Sequence, residues 1–476
     1  MSSTFSGLNA ATTALWAQRR ALDVTGQNIS NVNTEGYSRQ RVDLAALGGS
    51  VVPAFFSTSS GIGNGVSADD VTRIRDAFLE GRGHTEHANS ARLTVENETY
   101  EQVEQAFREP GDTGIQNLLS DMWSGWEDVA NQPQDEAARG QVLKRLETLV
   151  GGIHFSQAAL GAQWTQSRES LDVLVSDVNS AATNIADLNK AILRANQSGL
   201  PANDLSDQRD LLVMKLADQV GATVRHGDYG VVDVLVGGMT LVAGSTAASL
   251  ATAGTTSVDG VTADPPRITT GSGGYAVRVG GTAEGQLNSL NTIIPNYRKA
   301  MDDTAVSLAT SLNAAHLAGY DLTGAAGTPL LGSSSGPITA ASLTVMITDP
   351  KKIAASSVPP TTLPGPPIVT VPALDHGNAD ALAQLRQSTT GTDASYRKMI
   401  VELGVQAAVA SRNLDIQSVI STQVDAARES VAGVNIDEEM TNMLSFQHAY
   451  SAAGRLITAI DETLDKLING TGRVGL

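Results

Sequence analysis

At 476 residues the chain is too long for a single hydrophobic core, so two to four domains are expected. Its formal net charge of -18 leaves no basic stripe for phosphate backbones, which argues against nucleic acid, and the absence of cysteine rules out disulfides and thiolate metal sites. Aromatic residues reach only 4% while Ala, Gly, Ser and Thr abound, which suits long helices packed through small residues better than a deep catalytic pocket.

The opening residues, Met1 to Leu8, have neither the basic start nor the apolar run of a cleaved secretion signal, and no stretch approaches the roughly 18 apolar residues that span a bilayer. Membrane insertion is not expected. Leu8, Ala11, Leu15, Gln18, Leu22, Thr25 and Ile29 then alternate steps of three and four, predicting an amphipathic helix with one seam for a partner helix. Gln18 and Thr25 occupy core positions, where polar side chains lower stability and fix register. Asn28, Asn31, Asn33 and Gly36 predict a turn-rich stop, because Asn and Gly tolerate left-handed backbone. Extended segments are expected over 38–44 and 66–74, separated by a Gly/Ser loop over 48–65.

Two helices follow. One carries Leu93, Glu96, Tyr100, Val103 and Phe107 and stops at Pro110; the other carries Ile115, Leu118, Met122, Trp126 and Val129 and stops at Pro133. The longest heptad run, from Leu146 through Trp164 to Ile192, predicts a rod on the order of 70 Å at about 1.5 Å per residue, weakened only by Gly151, Gly152 and Gly161. A helix capped by Asp204 or Ser206 precedes a change to period two at 223–225 and 231–236. Gly-, Thr- and Ser-rich strands to about Gly285, a helix with Tyr297, Met301, Leu308 and Leu312, and a second β-rich stretch with a strand over 343–347 and prolines over 359–372 read as an exposed insertion. Helix returns over 375–387 and again from Ser395 to Gly433, with Tyr396, Ile400, Leu403, Ala407, Ala410 and Leu414 in its seam. In the last helix Asn435 is placed to cap, Glu438 to reach back to the cap, and Asp437 and Glu439 to meet the positive end of the dipole. Met443, Phe446, Tyr450, Ala453, Ile457, Ile460, Leu464 and Leu467 form its seam, and Lys466 and Gly470 supply end signals.

The expected fold is mainly α with a β-rich insertion (α+β), elongated and multidomain. Terminal coiled-coil helices take 1–33 and 436–476, a long helical-bundle domain with a hairpin adaptor takes 34–221, 286–320 and 375–435, and an outer β-rich module takes 222–285 and 321–374. Residues 1–44 carry four arginines against three carboxylates, a net +1, whereas 436–468 carry six carboxylates against Arg455 and Lys466, a net -4. Opposite signs favour pairing of one end with the other. Helices of this length are marginal alone in water, so the ends are expected to be unfolded in the free chain and to fold on assembly.

The run Gly26-Gln-Asn-Ile-Ser-Asn-Val-Asn-Thr-Glu-Gly-Tyr-Ser-Arg-Gln40, directly after an amphipathic helix, resembles the signature of the axial proteins of the bacterial flagellum. Asn435-Ile-Asp-Glu-Glu-Met440, followed by Phe446-Gln-His-Ala-Tyr450, resembles that family's partner motif at the other end. Rod members are generally shorter, so length together with the Tyr37-Ser-Arg-Gln40 variant points to the members at the hook–filament junction. The resemblance implies a structural subunit, not an enzyme, that polymerises as a ring in the extracellular flagellum through paired terminal helices. It also implies export by the flagellar type III route without a cleaved signal, and as partners further copies of itself, the hook protein, a second junction protein on the filament side, and an export chaperone at the C-terminal region. Another axial subunit, from hook or rod, is the alternative within the family; a secreted adhesin or enzyme using the outer module is the alternative outside it.

Seams and motifs together define a candidate assembly interface of Leu8, Leu15, Leu22, Asn28, Ile29, Asn31, Asn33, Gly36, Tyr37, Met443, Phe446, Tyr450, Ile457, Ile460, Leu464 and Leu467. No catalytic, cofactor-binding or metal-ligating residue is assigned. His84 and His87 share a helix face but lack a third ligand. Gly332-Ser-Ser-Ser-Gly336 matches a nucleophile elbow only by letter, and Gly61-Ile-Gly-Asn-Gly65 a phosphate loop only by its glycines.

Overall fold

The computed structural model describes residues 4–48, 63–363, 368–370 and 375–470. In chain order the elements are α1 (Thr4–Ser30), β1 (Gln40–Ala46), β2 (Val66–Arg73), α2 (Ala77–Phe107), α3 (Ile115–Asn131), α4 (Glu136–Gln197), α5 (Asn203–Val220), β3 (Thr223–His226), β4 (Val232–Val236), β5 (Met239–Ala243), β6 (Thr246–Ala247), β7 (Leu250–Ala253) and β8 (Arg267–Thr270). After these come α6 (Gly281–Asn288), α7 (Ile294–Leu317), β9 (Leu331–Ser333), β10 (Leu343–Val345), β11 (Thr361–Leu363), β12 (Ile368–Thr370), α8 (Gly377–Gln384), α9 (Thr392–Ala432) and α10 (Ile436–Asp465). Helix dominates, as the periodicity predicts. The strands pair antiparallel in small sheets, β3-β4-β5-β6 and the ribbons β1-β2, β7-β8, β9-β10 and β11-β12.

The chain divides into two compact units, Met1–Ala88 with Val178–Ser249 and Ser418–Leu476, and Asn89–Asp177 with Leu250–Gln417. In the second, Phe107, Trp123, Trp126, Trp164 and Tyr396 are almost wholly buried. Two of the three indoles place their N–H groups on acceptors, Trp164 Nε1 donating to Leu290 O at 2.9 Å and Trp123 Nε1 to Asp393 Oδ2 at 2.8 Å, whereas buried Trp126 Nε1 has no partner among the described residues. The edges of Tyr297 and Tyr396 meet Phe107 with centroids at 6.2 and 6.4 Å. Glycine does not interrupt the 62-residue α4. At Gly152 an added Cβ would lie 2.6 Å from Leu118 Cδ1, so the missing side chain is what lets α3 approach.

In the first unit, β4 alternates buried Val232, Val234 and Val236 with half-exposed positions. Asn189 of α4 anchors the sheet, donating from Nδ2 to Val232 O at 2.7 Å and Gly244 O at 2.8 Å. This β3–β6 sheet lies in the unit that contains both chain ends, while β7–β8 lies in the other.

Several local expectations are corrected. Helix α2, for which the apolar face from Leu93 gives no start, begins at Ala77, where Asp76 Oδ1 accepts from the amides of Phe78 and Leu79. Neither Asp204 nor Ser206 caps α5, whose N-cap is Ala202; Ser206 Oγ instead bonds Ala202 O, and Asp204 accepts from Gln40 Nε2 at 3.4 Å. Helix α8 starts at Gly377, because the Asp375 carboxylate is taken up by the amides of Ser357 and Val358 and the hydroxyls of Ser356 and Ser357. The strand expected over 343–347 ends at Val345. Ser333 ends β9, and Ser334 and Ser335 lie in the bend after it with no following helix; Gly61-Ile62 falls outside the described residues.

Candidate assembly site

Two points set the pairing of α1 with α10: the Gly7 backbone faces Ile460 Cδ1, and Asn28 bonds Glu439. The helices therefore run antiparallel. The buried line of α1 is Ala11, Ala17, Ala21, Thr25 and Asn28, a row of small side chains against which other backbone can close. The β1–β2 ribbon packs beside that row, over Ala10, Thr13 and Arg20. At Gly65, whose φ of +110° already favours glycine, a Cβ would collide with Thr13 Oγ1 and stand 3.0 Å from Ala10 Cα, and Arg20 Nη1 donates to Ala68 O at 2.6 Å. Of the two polar seam positions, Thr25 is buried, while buried Gln18 Oε1 has no partner among the described residues.

The expected seam residues are less enclosed than their spacing suggests. Leu8, Leu15, Leu22 and Ile29 on α1, and Met443, Phe446, Ile457, Ile460 and Leu464 on α10, are half-buried; Tyr450 and Leu467 are exposed. Over all 30 residues of α10 only Glu439 and Ala453 are buried. Phe446 shares a cleft with Ala21, Val24, Thr25 and Val42.

Where the two sequence motifs meet, the site is polar and closed. Asn28 Nδ2 donates to Gln40 O at 2.9 Å and Glu439 Oε2 at 3.0 Å, while its Oδ1 accepts from Tyr37 Oη at 2.8 Å and Gln40 N at 3.0 Å. All four hydrogen-bonding positions of this amide are used. The other oxygen of Glu439 receives Arg39 Nε at 2.8 Å and Nη2 at 2.7 Å, and Arg39 Nη1 reaches Glu438 at 2.9 Å. The capping-box role of Glu438 is thus displaced by Arg39, and Asn435 caps α10 alone, accepting from Asp437 N and Glu438 N. Arg39 N also donates to Ala432 O at 2.9 Å, fastening the ribbon to the end of α9. Burial first, and then the charges of Asp207, Asp204 and Glu439, raise the Tyr37 hydroxyl well above its usual range, so it acts as a donor.

The turn between α1 and β1 rests on α5. Asp207 accepts from Ser38 N at 3.2 Å and from Arg73 at 2.8 Å; Asp210 accepts from Arg73 at 2.8 Å, Arg209 at 2.9 Å and Arg75. Burial opposes ionisation of Asp210, yet Arg209, Arg75 and Arg73 outweigh it and hold the carboxyl below its ordinary value. Nearby, His87 lies between Asp425, at 3.0 Å from Nε2, and Asp218, at 3.4 Å from Nδ1. The bond to Asp218 is the largest influence raising its pKa, whereas burial lowers that of His84. The two histidines thus lie inside α2 against carboxylates and packing, and among the described residues no group of three His, Asp or Glu could hold a metal.

Of the motif residues, Asn28 and Tyr37 enter the cluster, Asn31 bonds back to Gln27 O, and Asn33 stays exposed; Gly36 adopts a left-handed φ of +78° in the turn. Arg39 and Glu439 form the ion pair that joins the two motifs, and periodicity missed both because neither lies on an apolar seam. The available signal was their charge: an arginine in one motif and adjacent carboxylates in the other.

The comparisons fall on the same segments. Residues 100–331 match the helical domain of flagellar hook-associated protein FlgK, 8–37 match flagella basal body rod protein, and 428–470 match the C-terminal region of flagellar basal body rod FlgEFG protein. Flagellar hook-associated protein 1 of Bacillus subtilis (strain 168) is 30% identical over 527 residues, covering 99% of each chain. Its namesake from Salmonella typhimurium is 25% identical, covering 97% of this chain and 99% of its own. The solved structure of the flagellar hook junction protein FlgK from Burkholderia pseudomallei has a TM-score of 0.63 at 17% identity, over 74% of this chain and 100% of that one, a likeness of fold.

Proposed function

The chain belongs to the flagellar hook-associated protein 1 family, and from that membership we propose that it forms a ring of copies at the hook–filament junction, held through the α1–α10 pair. It is a structural subunit of the flagellum at that junction. The observation that carries the proposal is the cluster of Asn28, Tyr37, Arg39, Gln40 and Glu439, which locks the two ends of the chain together while leaving most of α10 uncovered. A paired but incompletely buried end is what a subunit needs if neighbouring copies complete its packing. The match of 100–331 to the helical domain of FlgK favours a junction subunit over one from hook or rod.

The hook protein and a second junction protein are the neighbours this reading requires. Export by the type III route, with a chaperone on the exposed C-terminal helix before assembly, fits an apolar helix that must not self-associate early. The relatives are structural flagellar proteins, and we read this chain as non-enzymatic.

Deleting the chain from its host is expected to leave bare hooks and release flagellin into the medium, both seen by electron microscopy and blotting, with rescue by the full chain. Normal filaments in the deletion strain would overturn the assignment.

A further inference from the structure

Helix α9 has apolar residues on two opposite sides. Tyr396, Leu403 and Ala410 are buried on one. On the other, Val401, Val405, Val409 and Ile416 are 61%, 54%, 45% and 55% exposed, and at about 100° per residue they fall within an arc of about 80°. Arg412 lies in the same arc, exposed and without an ion pair among the described residues. Valine and isoleucine lose side-chain freedom in a helix, so nothing local favours them there. The steps Val405, Val409, Arg412, Ile416 are four, three and four, the spacing of a seam that faces another helix.

We propose that this face of α9 packs against a second copy of the chain, head to tail rather than about a two-fold axis. The inference rests on the ring reading above and adds to it a contact outside the terminal helices. Two observations identify the occupant. The seam is roughly 22 Å long and about 10 Å wide, far short of the ~800 Å² per partner that holds a stable complex, so it is covered only where other contacts already hold the copies together, as in a polymer. Arg412 sets the geometry. Two-fold pairing buries two Arg412 guanidiniums in one short seam whose other members are valine and isoleucine, whereas a head-to-tail contact lets each meet carboxylates on a different surface of a chain of net charge -18. Helix α4 offers such a surface, with exposed Glu169, Val173 and Asp177 repeating every four residues.

The test uses the full-length chain in cells that build flagella, with a photo-crosslinking amino acid at Val409. The expected product has twice the chain's mass, forms in isolated hook–filament structures and is absent from the purified free chain. A product containing a different protein, or none in assembled flagella, overturns the proposal. Because the chain lacks cysteine, Val409→Cys reports the symmetry: abundant disulfide-linked dimers mean two-fold pairing and overturn the head-to-tail geometry. Arg412→Glu is expected to melt like the wild type yet give at least tenfold fewer filaments per cell, with Arg412→Lys near normal; equal filament counts for all three also overturn it. A wild-type chain found at the junction without these crosslinks sinks the α9 contact alone, whereas a wild-type chain absent from the junction sinks the ring reading.

Discussion

Helices α3 and α10 show two ways of using an apolar surface. The 17 residues of α3 include seven buried ones, among them Trp123 and Trp126, whereas the 30 residues of α10 include two, one of them the carboxylate of Glu439. In α3 the chain covers its own seam, and the hydrophobic effect is spent within the monomer. In α10 the seam stays half-open, and what fixes the helix in place is a charged, hydrogen-bonded contact that specifies register more than it adds stability. A domain core and an assembly surface thus differ in what closes over the apolar face, and hardly in sequence period.

The contrast can be broken first where burial is deepest. Trp164→Ala removes a fully buried indole and its bond to Leu290 O, and should destabilise the chain by about 3–5 kcal/mol in chemical denaturation. Glu439→Ala strands Arg39 and Asn28 and should cost about 2–4 kcal/mol, read as lost hydrogen-exchange protection in α1 and α10 while α3 keeps its own; equal loss in α3 would mean that the two regions are not separable, and wild-type α1 and α10 without protection would mean that the ends fold only on assembly, as their length alone predicts. A smaller effect is expected with pH. The raised pKa of His87 contributes stability that is fully present below 6.5 and lost as pH rises through the folded value. The lowered pKa of His84 works the other way, with stability present above 6.5 and lost as pH falls through its folded value. His87→Gln should therefore remove the loss on the alkaline side of 6.5 in thermal melts, and an unchanged slope would deny the Asp218 and Asp425 contacts their role. The smallest effect belongs to Leu467, 53% exposed: Leu467→Ala should shift the stability of the free chain by less than about 0.5 kcal/mol yet lower filament number, separating assembly from folding.

Much of the helical body was legible. The run from Leu146 to Ile192 lies inside α4, and its Trp164, Leu171, Val178, Ile185 and Ile192 are buried as the heptad predicts. Gly152 argued against that helix until Leu118 of α3 was seen to occupy the space a side chain would take. The caps were harder to read. Asp76, Asp204 and Asp375 are each a plausible cap by composition, and which of them caps depended on competing donors: Gln40 reaches Asp204, and the 356–358 loop holds Asp375. The terminal site was half visible. Spacing located the seams on α1 and α10, but the innermost line of α1 is alanine, threonine and asparagine, and the close approach of Gly65 to Ala10 and Thr13 could be read only from the folded backbone.

By itself the sequence determined the helical periods, the unlike charges of the two ends, and the pair of motifs, since these depend only on which residues recur and how far apart. Only the tertiary structure decided that Arg39 meets Glu439, that Asn28 satisfies both motifs at once, and that α9 keeps an uncovered valine face. A hydrogen bond or a bare surface is a relation between residues hundreds of positions apart, and chain spacing carries no record of it until the backbone has brought them together.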